Sequence, residues 1–542
     1  MGKSAIPIDV REDNLCNFAL RWRSSRYQPP PTLLMTIRFF RPFKVFRVVP
    51  TTNVQLKKMI TLFETAKSDE ADFWHAPSVV NSTIDVMVSP AFTDKFASFL
   101  TKHDYPFHVA IEDLKKNVLF IFLAQVLIEI SITKLLIEKE GSIKMNPDGV
   151  DLRDFVRMHD DTGTFLSRLR MGEYYSYSTI VEWMKRIADH LPNVAKVVDI
   201  GSTIEGRSIL GIQFGSDAPD KKIVVIDAGI HAREWAAVHT AMYFINFIVN
   251  NRESDPKIRS YLENLVIYIF PVLNPDGYEY TRTDRTNPRA RMWRKSRSAK
   301  ACAFDGISNA CCQGVDLNRN FDFRFAEIGG SRYPCSEIYH GSTAFSEPES
   351  RAFSNFLRSL QGRLEGYITL HAYSQLWIYS YSHRKFTYAP DIEETKRVAQ
   401  KAVAELSKMY GTKYRYGTGP EIIYAFSGGS TDWAKETLKV KYSYTIELRP
   451  TYEEWNGFVL DKNQLIPTAK ETWAGVAVVL DEIVASKEKA AQLNMLRQQK
   501  CSDRLEGCKH WVETNPQLCS SSPQSMARDC AKTCNLCHLI SI

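Results

Sequence analysis

The 542-residue chain lacks a block of basic residues interleaved with aromatic ones, although its net charge is +7. Such blocks are typical of nucleic-acid-binding surfaces, so we expect no nucleic acid among its partners. The chain also lacks an uninterrupted apolar run of about 20 residues, which a membrane-spanning helix needs. The nearest candidate, residues 118–137, is interrupted by Gln125, Glu129 and Lys134. We therefore expect no membrane span and interpret this stretch either as a buried helix or as an insertion absent from the mature protein.

A recognisable secretion signal is also missing. The apolar stretch from Leu33 to Phe40 is broken by Thr36 and Arg38, whereas a signal peptide carries about 7–15 apolar residues after a basic patch. The cysteines nevertheless indicate an oxidising compartment, because six of the eleven lie between residues 501 and 537. Dense cysteines in a short terminal module are typical of disulfides. We predict a secreted protein and leave residues 1–42 unassigned.

A chain of this length is too long for one hydrophobic core, so several domains are expected. Residues 43–137 begin with alternating short strands and helices, which indicates a small open sandwich of helices on an antiparallel sheet. Residues 138–171 form a polar linker that a trypsin-like protease could cut, since it carries Arg153, Arg157, Arg168 and Arg170. Residues 172–486 form the main domain, residues 487–500 a second linker, and residues 501–538 a cysteine-rich tail.

The main domain shows an α/β pattern, in which short apolar runs alternate with amphipathic helical stretches. These runs are residues 223–226, 265–270, 367–370 and 442–448. Polar residues stand where the runs end: His231 after the first, Asn274 after the second, His371 after the third and Glu447 near the end of the fourth. Ligand sites of open α/β sheets form at the carboxyl ends of strands, so we expect these side chains to converge.

His231 and Glu234 are three positions apart at the expected start of a helix, where such residues face the same way. An imidazole and a carboxylate held side by side make half of a zinc site. Each candidate also has a structural interpretation. The pair fits a solvated helix start, His371 fits a core histidine, and Glu447 fits an ion pair with a cation such as Arg449.

A set of motifs in fixed order resembles the zinc metallocarboxypeptidases of the pancreatic carboxypeptidase A/B family. The resemblance implies a mixed eight-stranded sheet flanked by helices, and it makes residues 43–137 similar to the family's inhibitory pro-segment through Asp72-Phe-Trp and Ile84-Asp-Val-Met-Val. The motifs of the main domain are His231-Ala-Arg-Glu234-Trp, Asn274-Pro-Asp-Gly-Tyr, Arg291-Met-Trp-Arg294, Gly314-Val-Asp-Leu-Asn318-Arg319-Asn, Leu370-His371-Ala-Tyr373-Ser, Ile423-Tyr424, Ser427-Gly-Gly-Ser-Thr431-Asp-Trp and Thr445-Ile-Glu447-Leu-Arg.

The resemblance implies a role for several of these positions. His231, Glu234 and His371 would hold one Zn²⁺ with an open position for water, and Asp316 would orient His231. Glu447 would be the general base, and Arg294 would polarise the scissile carbonyl. The remaining positions would bind substrate: Asn318, Arg319 and Tyr424 at the terminal carboxylate, Arg233 and Tyr373 along the cleft, and Thr431 at the base of the specificity pocket.

The cysteines fall into two groups. Cys312 and Cys335 match a disulfide of the family, and Cys302 and Cys311 bracket an insertion and are expected to join, although four cysteines allow three pairings. The tail resembles an ShK-type module, which implies Cys501–Cys537, Cys508–Cys530 and Cys519–Cys534. Channel-blocking members carry a Lys-Tyr pair where this chain has Ser525 to Arg528. We therefore expect a docking or stabilising module rather than a toxin.

The prediction is a secreted zymogen of a zinc carboxypeptidase that acts on peptides with a free C-terminus after a trypsin-like protease removes the pro-segment. Thr431 is neutral, and so are the other residues matching the pocket lining, Ile378, Ser382, Ile423, Phe426 and Thr445. We therefore expect a preference for aliphatic or aromatic C-terminal residues. The alternative is an inactive peptidase fold that binds partners through its tail.

Overall fold

The computed structural model of the chain describes residues 42–67, 69–116, 169–284, 287–304, 309–454 and 457–540. Residues 1–41, the apolar stretch 118–137, most of the activation linker and Cys16 lie outside these ranges, so the predictions for them stay predictions. No helix in the described part of the chain is both long and apolar enough to cross a lipid bilayer.

The pro-segment is a four-stranded antiparallel sheet with two helices, as the strand–helix alternation predicted. The sheet has the order β2-β3-β1-β4. Phe46 on the inner face of the sheet belongs to one apolar cluster with Met59 of the first helix and Phe96 of the second. The sequence pattern did not predict β2, because a strand of three residues is too short to show an alternation of apolar and polar residues. The elements are β1 (Lys44–Val48), α1 (Asn53–Thr65), β2 (Ala71–Phe73), β3 (Ile84–Val88), α2 (Thr93–Lys102) and β4 (Phe107–Ile111).

The main domain is built on a mixed eight-stranded sheet, which confirms the predicted fold class. Its order is β13-β12-β14-β11-β7-β8-β6-β5, and β8, β7, β11 and β14 run parallel to their neighbours within this group. The strands are β5 (Ala195–Ser202), β6 (Ser208–Phe214), β7 (Lys222–Ala228), β8 (Leu265–Phe270), a separate ribbon of β9 (Ala301–Phe304) and β10 (Asn309–Cys312), then β11 (Leu364–Ala372), β12 (Leu376–Tyr379), β13 (Arg415–Thr418) and β14 (Tyr442–Leu448).

Helices cover both faces of this sheet, because successive residues of a strand point to opposite sides. On β7, Val224 and Ile226 belong to one apolar cluster, whereas Ile223 and Val225 belong to the other. The helices are α3 (Tyr177–His190), α4 (Trp235–Asn251), α5 (Pro256–Asn264), α6 (Pro275–Thr283), α7 (Pro288–Arg291), α8 (Pro348–Ser359), α9 (Ile392–Tyr410), α10 (Gly419–Ile422), α11 (Ser430–Thr437) and α12 (Lys462–Gln499), with a 3₁₀ turn at Leu317–Arg319.

The last helix of the main domain reaches further than the sequence prediction allowed. Residues 487–499, interpreted above as a linker, continue α12 up to the cysteine-rich tail. This stretch contains neither glycine nor proline and consists mainly of residues with high helix propensity. The tail has three short helices, α13 (Cys508–Thr514), α14 (Leu518–Ser521) and α15 (Pro523–Asp529), and a 3₁₀ turn at Cys537–Leu539.

The ten described cysteines form five disulfides, which link the same partners that the sequence and the resemblance suggested. Two lie in the main domain and three in the tail. They are Cys302–Cys311, Cys312–Cys335, Cys501–Cys537, Cys508–Cys530 and Cys519–Cys534.

Candidate metal centre and substrate cleft

Two of the three candidate metal ligands lie on the turn that follows β7. The chain turns at Gly229 with φ +63°, where a Cβ atom would come within 3.2 Å of the Val272 backbone, so the turn requires glycine. His231 and Glu234 then lie before α4 rather than on its first turn, with Glu234 at the N-cap. The prediction that the pair lies on the opening turn of the helix is therefore wrong, although the helix does begin at Trp235, as the apolar pattern indicated.

The turn is fixed by a residue to which the sequence assigned no role. The Asn274 side chain donates to the carbonyls of Ile230 (3.2 Å) and Lys295 (3.0 Å) and accepts from the amide of Gly277 (3.0 Å). The Asn-Pro-Asp-Gly motif thus ties the loop after β8 to the loop that carries His231. The need for these hydrogen bonds explains why a polar motif lies at the end of the buried strand β8.

His231, Glu234 and His371 form a buried cluster at the carboxyl ends of β7 and β11. Nδ1 of His231 lies 2.8 Å from Oε1 of Glu234, and Nδ1 of His371 lies 3.0 Å from Oε2 of Glu234. The two Nδ1 atoms are 3.1 Å apart.

This donor set fits zinc. Ligand atoms around a tetrahedral zinc lie roughly 3.3 Å apart, and two imidazoles with one carboxylate are typical of catalytic zinc sites that keep a position open. Burial alone would raise the pKa of Glu234, but His231 and His371 outweigh it and lower that pKa. A carboxylate must be ionised to bind a metal, and the direction of this shift is compatible with that role.

Asp316 links the cluster to the arginine beside it. Its Oδ1 lies 3.1 Å from Nε2 of His231, and its Oδ2 accepts from Nη2 of Arg294 at 2.9 Å. Burial would raise the pKa of Asp316, but Arg294, Arg319 and His231 hold it well below its usual range. The aspartate is thus a buried anion whose partners are the residues that sequence reasoning placed at the site.

Glu447 faces the cleft from β14. It pairs in register with His371 on the adjacent parallel strand, so both side chains point to the same face. Burial raises the pKa of Glu447, with Glu234 adding to the rise and His371 opposing it. The alternative ion pair with Arg449 is not formed, since the Arg449 Nε donates to Glu471 at 2.8 Å.

Arg319 and Tyr424 lie together at one end of the cleft. The guanidinium donates to the Gly329 carbonyl (2.8 Å) and to the Tyr424 hydroxyl (2.9 Å), and lies over the Phe426 ring at 4.6 Å. Asn318 accepts through Oδ1 from the amide of Ser430 at 3.0 Å. That bond occupies the carbonyl oxygen and leaves the NH₂ group of Asn318 available for an anion.

The pocket beside Arg319 is lined by Ile378, Ile423, Phe426 and Thr445. Thr431 is buried and does not line the cleft itself; its Oγ1 lies 3.2 Å from Oγ1 of Thr445. Ser382 is also buried. The Phe426 ring is tightly surrounded, because Cβ atoms added at Gly419 or Gly429 would come within 3.2 and 2.8 Å of it.

The pro-segment covers the cleft, a cavity of about 710 Å³ lined by residues of both domains. Asp72 accepts from Nη1 of Arg233 at 2.6 Å. Aromatic contacts join Trp74 to Phe458 (5.5 Å between ring centroids), His75 to Tyr373 (4.7 Å) and Phe63 to Tyr424 (6.4 Å). The predicted cleft residues Arg233, Tyr373 and Tyr424 are therefore in contact with the pro-segment.

Several of these contact residues had no assigned role at the sequence level. Asp72 and Trp74 stand in a motif that marks the pro-segment, but nothing local to that motif shows which cation the carboxylate meets. Phe458 does not lie directly after a strand and belongs to none of the motifs named above. Nothing in the sequence therefore indicated that it lies in the cleft.

Comparisons with known proteins agree with this architecture. Residues 180–475 match the family model "Zinc carboxypeptidase", residues 46–118 match "Carboxypeptidase activation peptide", and residues 500–537 match "ShK domain-like". Carboxypeptidase A2 of Mus musculus is 34% identical over 81% of this chain and 93% of its own length. Carboxypeptidase B of Astacus astacus is 41% identical over 56% of this chain and 95% of its own length.

Among solved structures, thrombin activatable fibrinolysis inhibitor superposes with a TM-score of 0.64 at 27% identity, over 82% of this chain and 100% of that one. The chain therefore belongs to the zinc carboxypeptidase family. It is a metallocarboxypeptidase that carries an activation peptide and an ShK-like tail.

Proposed function

We propose that the activated chain removes single C-terminal residues from peptides and proteins, with a preference for neutral apolar residues. The observation that carries this proposal is the arrangement of one cleft. His231 and Glu234 of the metal cluster line it together with Glu447, Arg319 and Tyr424. A cation able to hold a carboxylate beside a hydrolytic centre selects for chain ends.

Each residue has a task in this reaction. Asn318 and Arg319 hold the terminal carboxylate, and Tyr424 covers it. Arg294, which also lies in the cleft, stabilises the negative charge that develops on the scissile carbonyl oxygen. Zinc, when bound by His231, Glu234 and His371, supplies Lewis acidity and lowers the pKa of a water.

Glu447 moves the protons. As an ionised carboxylate it takes a proton from the attacking water and passes it to the nitrogen of the leaving residue. Burial raises the pKa of Glu447. A raised pKa favours the protonated carboxyl group, which can then act as a general acid towards the leaving nitrogen. The absence of an ion pair between Glu447 and the neighbouring cation Arg449 leaves the carboxylate free to do so.

The first prediction concerns this base. Glu447→Gln should keep one zinc per chain but reduce kcat by about 10²–10⁴-fold, because a positioned general base contributes that much. Zinc content by mass spectrometry and peptide hydrolysis measure the two effects separately. Glu182→Gln, on the exposed face of α3, is the matched control and should change neither. Near-wild-type turnover of Glu447→Gln would exclude Glu447 as the base.

We also propose that the protein is secreted as a zymogen. Five disulfides suit an oxidising compartment, and the pro-segment contacts Arg233, Tyr373 and Tyr424 in the cleft. Arg47 strengthens this cover: it donates to the Glu453 carbonyl at 2.6 Å while its Nη2 pairs with Asp85 of its own domain at 2.7 Å.

The second prediction is latency. Uncut protein should hydrolyse short peptides at least about tenfold more slowly than trypsin-treated protein. A pro-segment that binds the cleft with a free energy of only ~1.4 kcal/mol already gives a ratio of covered to open cleft of about ten. Replacing all the basic residues of the linker by Gln, namely Lys139, Lys144, Arg153, Arg157, Arg168 and Arg170, provides the control, because this variant should stay latent after the same treatment. Equal rates before and after cleavage would contradict the proposal.

The third prediction concerns the C-terminal residue of the substrate. None of the residues matching the pocket lining is charged, and the carboxylate of the neighbouring Asp432 already accepts from the amide of Ser382. A buried cation would therefore carry an uncompensated desolvation cost, so Leu and Phe should be removed faster than Lys and Arg. Selection among apolar residues should be loose, because a pocket distinguishes them by only about 1–3 kcal/mol per methylene. Since Phe426 narrows the pocket, Trp should be disfavoured.

The measurement is kcat/KM on peptides that differ only in their last residue. Thr431→Asp should shift the ratio of Lys to Leu by about tenfold or more towards Lys. Thr431→Asn is the matched control, because it changes size and polarity without adding charge. A wild-type preference for Lys or Arg would show that the pocket is wrongly assigned.

A further inference from the structure

The contact between Asp72 and Arg233 carries an inference about substrates. Both residues are only 2% exposed, although they belong to different domains and lie 161 residues apart in sequence. Among the described residues, Asp72 holds the single carboxylate within 4.0 Å of Arg233. Glu337 of the catalytic domain lines the same cleft, but it makes no ion pair with Arg233 within that distance. Once the pro-segment leaves, Arg233 therefore loses its one ion-pair partner among the described residues.

The catalytic domain keeps Arg233 in place without Asp72. Its guanidinium lies 4.2 Å from the centre of the Phe458 ring. Arg291 donates to the carbonyls of both Arg233 and Phe458 at 2.9 Å. The cation is thus held by its own domain and not by the pro-segment, so the site for an anion persists after activation.

The group formed by Arg233, Phe458 and Tyr373 lies apart from the carboxylate receptor. The Phe458 and Tyr373 rings are 5.0 Å apart, whereas Arg319 contacts Tyr424 and Phe426. If Arg319 holds the last residue of a substrate and Glu447 faces the scissile bond, the preceding residues run towards Arg233. The pro-segment occupies that part of the cleft with the acidic Asp72 and, two residues further along the chain, the aromatic Trp74.

We propose that Arg233 gives the activated enzyme a preference for substrates with an acidic side chain within three residues before the scissile bond. This inference rests on the proposed carboxypeptidase function and identifies a charge preference at a part of the cleft away from the C-terminal pocket. In the zymogen, Asp72 occupies the position of this acidic side chain. Its carboxylate marks where the side-chain carboxylate of the substrate binds to Arg233. The alternative is that Arg233 only holds a main-chain carbonyl, which would give no such preference.

The test uses trypsin-activated full-length protein loaded with zinc and blocked peptides that end in Leu. Each of the three positions before that Leu carries Gln or Glu in turn. At one of them Glu should raise kcat/KM about tenfold over Gln, mainly through KM, as expected for a charge-assisted contact. Raising the salt concentration should reduce the ratio.

Three variants assign the effect to Arg233. Arg233→Gln should bring the Glu/Gln ratio close to one, and Arg233→Lys should retain part of it because the charge remains. Arg415→Gln removes another cation of the same cleft and should leave the ratio high. A wild-type ratio within twofold at all three positions, or a ratio that survives Arg233→Gln, would overturn the inference.

Hydrolysis and charge preference are measured separately. Turnover of the Gln peptides tests the proposed function, whereas the Glu/Gln ratio tests the role of Arg233. Fluorescence anisotropy of the same peptides with activated Glu447→Gln protein gives the ratio as a binding constant and needs no turnover. Tighter binding of the Glu peptide there supports the inference, and equal binding contradicts it.

Discussion

The buried carboxylate of Asp316 is the interaction on which the candidate site depends. It is fully buried, and a buried anion is tolerated only when cations and donors surround it closely. His231, Arg294 and the amide of Asn318, which donates at 3.0 Å, provide that surrounding. One side chain thereby fixes a metal ligand, the arginine proposed to stabilise the oxyanion and the start of the carboxylate receptor. Loss of this anion would remove the one hydrogen-bond acceptor that His231, Arg294 and the Asn318 amide share.

Around this centre, the same cleft serves inhibition and recognition. Among the described residues, no His, Cys, Asp or Glu of the pro-segment joins the His231–Glu234–His371 cluster. The contacts of the pro-segment inside the cleft include Arg233, Tyr373, Phe458 and Tyr424. These are the positions that a substrate chain would occupy on either side of the scissile bond. Latency and the proposed acidic preference therefore have one physical origin, a set of cationic and aromatic groups that binds whichever peptide lies in the cleft.

Much of this could be predicted from sequence, and the exceptions have physical causes. The apolar runs at residues 223–226 and 442–448 marked buried strands, and polar residues after them marked the site, because sheet topology brings strand ends together. The turn at Gly229 displaced His231 and Glu234 from α4, which residue spacing alone does not show. The helical residues 487–499 were interpreted as a linker because their few apolar side chains, among them Leu493 and Met495, are exposed and form no buried face. The Asp72–Arg233 pair joins two domains, and no local pattern encodes such a contact.

The most direct test of this account is to measure zinc affinity and kcat/KM of Asp316→Asn together. The substitution keeps the shape of the side chain and removes its charge. Zinc affinity should fall by about 10–100-fold, as is typical when the partner of a ligating histidine is changed, and kcat/KM should remain reduced at saturating zinc because Arg294 loses its anchor. Asp189→Asn, at an exposed position on α3, should change neither quantity. Unchanged zinc affinity and unchanged kcat/KM in Asp316→Asn would contradict the view that this carboxylate holds the site together.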